Sequence, residues 1–105
     1  MKEAKLFYKT KKWKKKRNRV LKRDGYKCQE AKRFGAYEEA TTVHHIYPLE
    51  EYPELAYMDW NLISVSGNRH GTFHDKTTGK ITESGKYWQN KRRREFEKWE
   101  RRDED

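Results

Sequence analysis

The sequence is poor in the aliphatic residues that usually build a large hydrophobic core. Leu, Ile, Val and Phe make up only 15 of its 105 residues, a share that, together with high net charge, is typical of disordered chains. Four Trp and seven Tyr favour a folded chain, because each aromatic side chain buries a large apolar area. We therefore expect a single small domain over residues 1–105, with a thin core.

Cysteines and long apolar runs are also scarce. The single cysteine, Cys28, excludes an intrachain disulfide framework and an all-cysteine zinc site. No apolar run approaches the roughly 18 residues of a membrane-spanning helix, and the charged residues 1–5 are unlike a secretory signal. We therefore expect a protein of a reducing cytoplasm.

Positive charge is in clear excess. The chain has 26 Lys and Arg against 17 Asp and Glu, which gives a formal net charge of +9 and an isoelectric point near 9.7. Such an excess is typical of proteins that bind a polyanion, although it also occurs in basic proteins that are merely soluble. Nucleic acid is the partner that this charge favours.

The first clear element is a basic helix predicted over about 10–24. Thr10 can cap its N-terminus, Gly25 can end it in the left-handed conformation, and apolar residues recur at helical spacing from Trp13 to Leu21. The rest of the segment is almost entirely cationic, which predicts a face that binds phosphates or one that simply faces solvent. The candidate phosphate contacts on this helix are Lys12, Lys15, Lys16 and Arg19.

The remaining segments are predicted to be short. Residues 26–40 are expected to be irregular or to form a short hairpin around Gly35. The later elements are, in chain order, a strand over 41–47, a loop over 49–60 with a helical turn after Pro53, a strand over 61–65, a helix from Ser66 or Asn68 through His74, a turn over 77–80, a helix over about 84–101 and a frayed tail over 103–105.

Three arginines outside the first helix are further candidates for nucleic-acid contact. Arg92 and Arg93 lie in a basic block of the last predicted helix, where nearby glutamates also allow a salt-bridged face. We favour backbone contact for these two. Arg69 either clamps a phosphate or is a solvated helix residue, and the sequence leaves both open.

All four histidines lie between residues 44 and 74. His44 and His45 are adjacent on a predicted strand, where neighbouring side chains point to opposite faces. His70 and His74 are four apart on a predicted helix, which places them on one face about 5–6 Å apart at Cβ. This spacing predicts a metal site shared by the helical pair and one strand histidine, and leaves the other strand histidine for a second task, such as that of a base. The alternative is a chance clustering of histidines with no special role.

Three segments around these histidines form a recognisable pattern. They are Val43–Leu49 (VHHIYPL), Asn61–Val65 (NLISV) and His70–His74 (HGTFH), within a core motif of 41–76. Together they resemble the HNH (ββα-metal, or His-Me finger) endonuclease family, and the runs Phe7–Trp13 and Val20–Cys28 resemble the N-terminal part of small phage-type members. The resemblance implies an α+β fold in which a ββα-metal core, a short two-stranded hairpin plus a helix, is flanked by a basic N-terminal helix and a C-terminal helix.

The resemblance also implies a role for each matching residue. His45 matches the general base that activates water, and Asn61 matches the asparagine that braces the loop and orients this base. The implied metal ligands are His44, His70 and His74. The implied cofactor is one divalent ion (Mg, Mn, Ni, Co or Zn) that stabilises the scissile phosphate and the leaving group.

One family feature is missing from this sequence. Many members bind a structural zinc through two Cys-x-x-Cys pairs, and the matching positions here are Cys28, Ala31, Ser66 and Arg69. We therefore expect no structural zinc there and expect Cys28 to be a small buried residue. The aromatic anchors expected to replace the zinc are Trp60, Phe73, Trp88 and Trp99.

The predicted function is metal-dependent hydrolysis of DNA phosphodiester bonds, by nicking or cutting the duplex. The alternative is a non-catalytic or accessory DNA-binding protein with a structural metal site. The likeness to phage-type members implies a chain encoded by a phage or prophage that acts in the cytoplasm of a bacterial host. Phage packaging or DNA-processing proteins are its candidate partners.

Overall fold

The computed structural model of the chain describes residues 2–102, which form six α-helices and one small sheet. No helix in this part of the chain combines the length and the apolar character needed to cross a membrane. The elements are α1 (Lys2–Lys9), α2 (Lys11–Arg23), α3 (Gln29–Arg33), β1 (Thr42–His45), β2 (Leu62–Val65), α4 (Gly67–His70), α5 (Glu83–Lys91) and α6 (Arg93–Glu100), with 3₁₀ turns at Pro53–Leu55 and Asp59–Asn61.

The centre of the fold is the antiparallel pair of β1 and β2. In its register His44 lies opposite Ile63 and His45 lies opposite Leu62. Both strands are four residues long, shorter than predicted, because regular pairing ends one residue after β1, where the Ile46 N–H donates to the Asn61 carbonyl. The two-stranded hairpin with surrounding helices confirms the predicted α+β class.

Helix α2 forms as its sequence predicts and packs against both strands. The Thr10 hydroxyl accepts a hydrogen bond from the Trp13 N–H, and Gly25 leaves the helix with a φ of 63°. At its C-terminal end Asp24 accepts from the backbone N–H of Ser64 on β2 at 3.0 Å. This contact fixes the end of the basic helix to the hairpin.

The core consists of two clusters on either side of the sheet. The cluster beside α2 is Trp13, Val20, Leu21, Ala40, Val43 and Leu62, with Phe7 and Tyr57 packed against it. The larger cluster is Cys28, Ala31, Ile46, Tyr47, Leu55, Ile63, Val65, Phe73 and Trp88, with Trp60 and Trp99 among the half-buried aromatics around it. The burial of Cys28 and the packing of the four predicted aromatic anchors agree with the sequence analysis.

The helix predicted to continue through His74 is much shorter in the structure. α4 begins after Ser66, whose hydroxyl caps it, and ends at His70 before Gly71. Beyond it Phe73 is fully buried, and its carbonyl accepts from the Thr82 N–H. The prediction was wrong because the chain turns at residues 71 and 72, which lets Phe73 enter the core and His74 pair with the distant Ile81.

The predicted C-terminal helix over 84–101 is two helices that meet at Arg92. α5 presents Trp88 to the core, whereas α6 stacks Phe96 on Tyr47 with ring centroids 4.1 Å apart. One straight helix has a single apolar stripe, so a break lets the two anchors reach different parts of the core. The predicted frayed tail lies outside the described residues.

Two helices were not anticipated. The segment 26–40 contains α3, which is followed by Gly35 at a φ of 77°, and its ends meet in a bridge between Lys27 and Glu39. The two ends of the segment therefore pair as in a hairpin, but the residues between them include a short helix and not only a turn. The sequence pattern also does not predict α1, which places Phe7 and Tyr8 on the hairpin beside His45.

Candidate functional site

The four histidines, which come from three different parts of the fold, line one cleft of about 550 Å³. His44 and His45 enter it from β1, His70 from the end of α4, and His74 from the loop after α4. The rest of the wall includes Tyr8 of α1, the carboxylates of Glu50, Glu51 and Asp75, and Lys76. Strand, helix and loop therefore converge on one group of imidazoles.

His44 faces the two later histidines. Its ring stacks on Phe73 at 4.1 Å between centroids, and the His70 and His74 rings lie 5.9 and 6.5 Å away. Burial, and then the charges of the neighbouring histidines, lower the pKa of His44 to about 3. His44 is therefore neutral at pH 7 and keeps a ring-nitrogen lone pair for a ligand.

His70 and His74 reach this place by a different route from the one predicted. They do not share a helical face, because His74 lies in an isolated bridge with Ile81. The side chain of His70 is exposed and that of His74 is half-buried, so both rings have room to rotate. Among the side chains that the structure describes, those of residues 4–102, no three His, Cys, Asp or Glu are as close together as a formed metal centre requires.

His45 faces the opposite side of the strand, as the alternation predicts. Its ring stacks on Trp13 with centroids 4.9 Å apart. Its Nε2 lies 3.1 Å from the Ala56 carbonyl, which can only accept, so Nε2 carries the proton and Nδ1 carries the lone pair. Burial lowers the pKa of His45, although the hydrogen bond to Ala56 opposes this shift. The Tyr8 hydroxyl lies 3.5 Å from Nδ1.

Asn61 is fully buried and braces the loop between the strands. Its Oδ1 accepts from the Tyr47 N–H at 2.7 Å, and its Nδ2 donates to the carbonyls of Tyr47 and Leu55, both at 3.1 Å. Leu55 immediately precedes Ala56, the acceptor for His45. Asn61 therefore fixes the backbone on which the orientation of His45 depends, without contacting the imidazole in the structure.

The four predicted cations of α2 lie together beside Tyr57, around a shallow cleft of about 260 Å³. Two of them have partners: the Lys12 ammonium sits 4.2 Å from the centroid of the Tyr57 ring, and Lys16 forms an ion pair with Asp59. Lys15 and Arg19 are exposed and have no ion pair among the described residues. This face is continuous and mostly solvent-accessible.

The other three candidate arginines are placed differently. Arg69 pairs with Glu38 at 3.1 Å, and Glu38 also accepts from the Ser66 hydroxyl, so Arg69 is engaged by a carboxylate. Arg93 is exposed and donates to Asn90. Arg92, at the break between α5 and α6, has a buried Nε without a hydrogen-bond partner within the described part of the chain.

Sequence reasoning missed two residues near the histidines. Tyr8 was missed because α1 was not predicted, and its approach to His45 spans 37 residues of sequence. Arg17 is not among the candidate cations of α2, yet it lines a small cleft with Tyr8 and His70. Nothing in the local pattern distinguishes Arg17 from the other cations of α2.

No family model matches the sequence, and the search of curated proteins found no match. Among solved structures, the chain is similar to the HNH endonuclease of the deep-sea thermophilic bacteriophage GVE2, crystallised with a manganese ion. The two share 27% identity with a TM-score of 0.64, over 88% of this chain and 86% of the phage protein. The chain therefore has the ββα-metal fold of an HNH-type nuclease.

Proposed function

We propose that this protein is a metal-dependent endonuclease that hydrolyses DNA phosphodiester bonds, with His45 as the general base. One observation carries the proposal. The Nε2 of His45 is committed to the Ala56 carbonyl, which leaves Nδ1 as the proton acceptor in a cleft that also holds three other histidines. The phage endonuclease that this chain resembles in structure supports the same activity.

The three remaining histidines are suited to hold one divalent cation. His44 is neutral and has a ring-nitrogen lone pair, and rotation of His70 and His74 would close the 5.9 and 6.5 Å separations from its ring. Neutral imidazoles suit zinc and nickel, whereas manganese prefers oxygen ligands, which the carboxylates of the same cleft could add. The similar phage protein was crystallised with manganese, which supports a divalent ion here. When bound, such an ion stabilises the charge that develops on the phosphate and the leaving oxygen.

His45 would take the proton from the attacking water. A neutral imidazole accepts a proton near pH 7, and the hydrogen bond to Ala56 stabilises the imidazolium that results. The stacked Trp13 ring and the backbone braced by Asn61 hold the imidazole in one orientation. His45 faces away from His70 and His74, so it stays free to act as a base.

Phosphate contacts would come from the basic face of α2. Lys15 and Arg19 are exposed there, next to Lys12 and Lys16, in a chain of net charge +9. Contacts of this kind bind the DNA backbone without reading sequence, so affinity should fall steeply as salt increases. Phage packaging or DNA-processing proteins would be the partners that direct this activity to its DNA.

The function is tested with supercoiled plasmid and purified protein, in Mg, Mn, Ni, Co or Zn and in EDTA. The wild type should nick or cut the plasmid with at least one metal and not in EDTA. His45→Ala, purified in the same way, should lose about 10²- to 10⁴-fold in rate, the range of a general base. Its circular dichroism spectrum should match that of the wild type.

Two results would overturn the proposal. Cleavage that survives undiminished in His45→Ala would come from a contaminant or a different base. Tight DNA binding without cleavage under any metal would instead favour the accessory DNA-binding protein with a structural metal. That alternative also predicts that His45→Ala unfolds the chain, whereas the nuclease predicts a folded and inactive variant.

A further inference from the structure

A second cleft, of about 290 Å³, adjoins the histidine cleft. The two share Tyr8, Val43 and His70 as a common wall. Beyond this wall, Arg17 of α2 and the hydroxyl-bearing Thr41 and Thr42 line the second cleft. None of the described residues around it carries a carboxylate, whereas Glu50, Glu51 and Asp75 line the histidine cleft. The second cleft is therefore suited to an anion.

Arg17 is held in this cleft without a strong partner. Its Nε is buried and has no hydrogen-bond partner within residues 2–102, and its Nη2 lies 3.5 Å from Asn18 Oδ1, at the limit of a hydrogen bond. The arginines at 23, 33 and 69 are each paired with a carboxylate instead. A buried cationic donor left unpaired is costly, which points to a ligand that completes it.

We infer that Arg17 binds a phosphate of the DNA strand next to the phosphate that is cleaved. A guanidinium matches the geometry of two phosphate oxygens, and the threonine hydroxyls can donate to the same group. The shared wall at His70 places this anion site directly beside the histidines, so one strand would pass from one cleft into the other. This inference rests on the proposed nuclease function and names a substrate contact for it.

The test compares Arg17→Gln with Lys22→Gln, which loses the same charge. Lys22 is exposed on the same helix and does not line the second cleft. Binding of a short fluorescent duplex is measured by anisotropy in EDTA, over a series of salt concentrations. We expect Arg17→Gln to weaken binding about 10-fold and to reduce the salt slope by roughly 0.9. Lys22→Gln should weaken it less than about 3-fold, and Arg17→Lys should lie between them.

Kinetics on plasmid with the active metal then locate the contact. A neighbouring phosphate is held equally in the ground state and the transition state, so Arg17→Gln should raise KM and leave kcat within about 3-fold. A large fall in kcat at saturating DNA would place Arg17 on the cleaved phosphate and overturn the inference. Equal effects of Arg17→Gln and Lys22→Gln on binding would also overturn it, because only net charge would then matter.

The phosphate contact of Arg17 and the nuclease activity are tested independently. Binding in EDTA does not depend on turnover, so a wild type that never cuts DNA would refute the nuclease while the two variants still report on the phosphate contact. Unfolding of Arg17→Gln is checked by its melting temperature. If that variant is unstable, Arg17→Lys, which keeps the charge and loses the planar fork, carries the comparison.

Discussion

The indole Nε1 of Trp88 donates a hydrogen bond of 2.9 Å to the carboxylate of Glu30, which is only 1% exposed. This bond ties α5 to α3 in the interior of the protein. Arg33 adds an ion pair to the same carboxylate and also contacts Ser84. A network of polar side chains therefore surrounds the buried carboxylate of Glu30 and joins α3 to α5.

Loss of the indole donor should destabilise the fold. We expect Trp88→Phe to lower the free energy of unfolding by about 2 kcal/mol, because it removes a hydrogen bond to a buried charge and leaves a small void. Urea denaturation measures this, with Trp99→Phe as a control at a half-buried tryptophan. In the Glu30→Gln background the cost of Trp88→Phe should shrink. An unchanged cost would mean that packing, and not the hydrogen bond, is what Trp88 contributes.

The same carboxylate should make stability depend on pH. Burial raises the pKa of Glu30, but hydrogen bonds from Arg33, Trp88 and Ser84 outweigh burial and bring it below the usual value. Because the folded pKa is below the unfolded one, near 4.3, this contribution is complete above about pH 4.3 and is lost as pH falls through the folded pKa. The difference in melting temperature between the wild type and Glu30→Gln should therefore be full at pH 7 and shrink as pH falls below about 4.3. A difference that does not shrink on acidification would contradict this linkage.

The sequence correctly predicted the elements whose ends depend on neighbouring residues, such as helix caps and turns. Thr10 and Gly25 mark the ends of α2 through capping and left-handed backbone geometry. The β-branched run before His44 predicted β1, and Pro53 predicted its turn. The clustering of the histidines in sequence also predicted a shared site, and in the structure all four line one cleft.

Long-range contacts determine what could not be predicted. His74 reaches the site because Ile81 pairs with it and Phe73 is buried beneath it, and neither contact is visible in a helical repeat. The break at Arg92 depends on where Trp88 and Phe96 find partners in the core. In each case tertiary packing outweighed helix propensity, which is a weak preference per residue.

Removal of the Asn61 side chain should damage stability and activity together. Asn61→Ala leaves the Tyr47 N–H and two carbonyls short of their partners, so we expect a loss of about 3 kcal/mol. Cleavage should fall as well, because the Ala56 carbonyl that orients His45 is no longer fixed. Urea denaturation and plasmid cleavage on one preparation measure both effects. His45→Ala differs in losing cleavage while remaining folded, and an active, fully stable Asn61→Ala would contradict the bracing role.

Metal binding can be separated from catalysis by its effect on stability. An ion that binds only the folded protein adds about 2.7 kcal/mol at 100 times its Kd, which for a domain of this size raises the melting temperature by roughly 10 °C. We expect manganese to produce this rise in the wild type and in His45→Ala. The rise should be lost in His44→Ala and in His70→Ala, and reduced in His74→Ala. Each variant is compared with and without metal, because His44 also packs on Phe73.

The pattern across the four variants decides the role of each histidine. If manganese did not raise the melting temperature of His45→Ala, His45 would be a metal ligand and could not serve as the base. A rise that persists in both His44→Ala and His70→Ala would place the ion elsewhere, for instance at the cleft carboxylates of Glu50 and Glu51. The expected pattern instead divides the adjacent pair, with His44 on the metal and His45 on the water, as their opposite directions from β1 require.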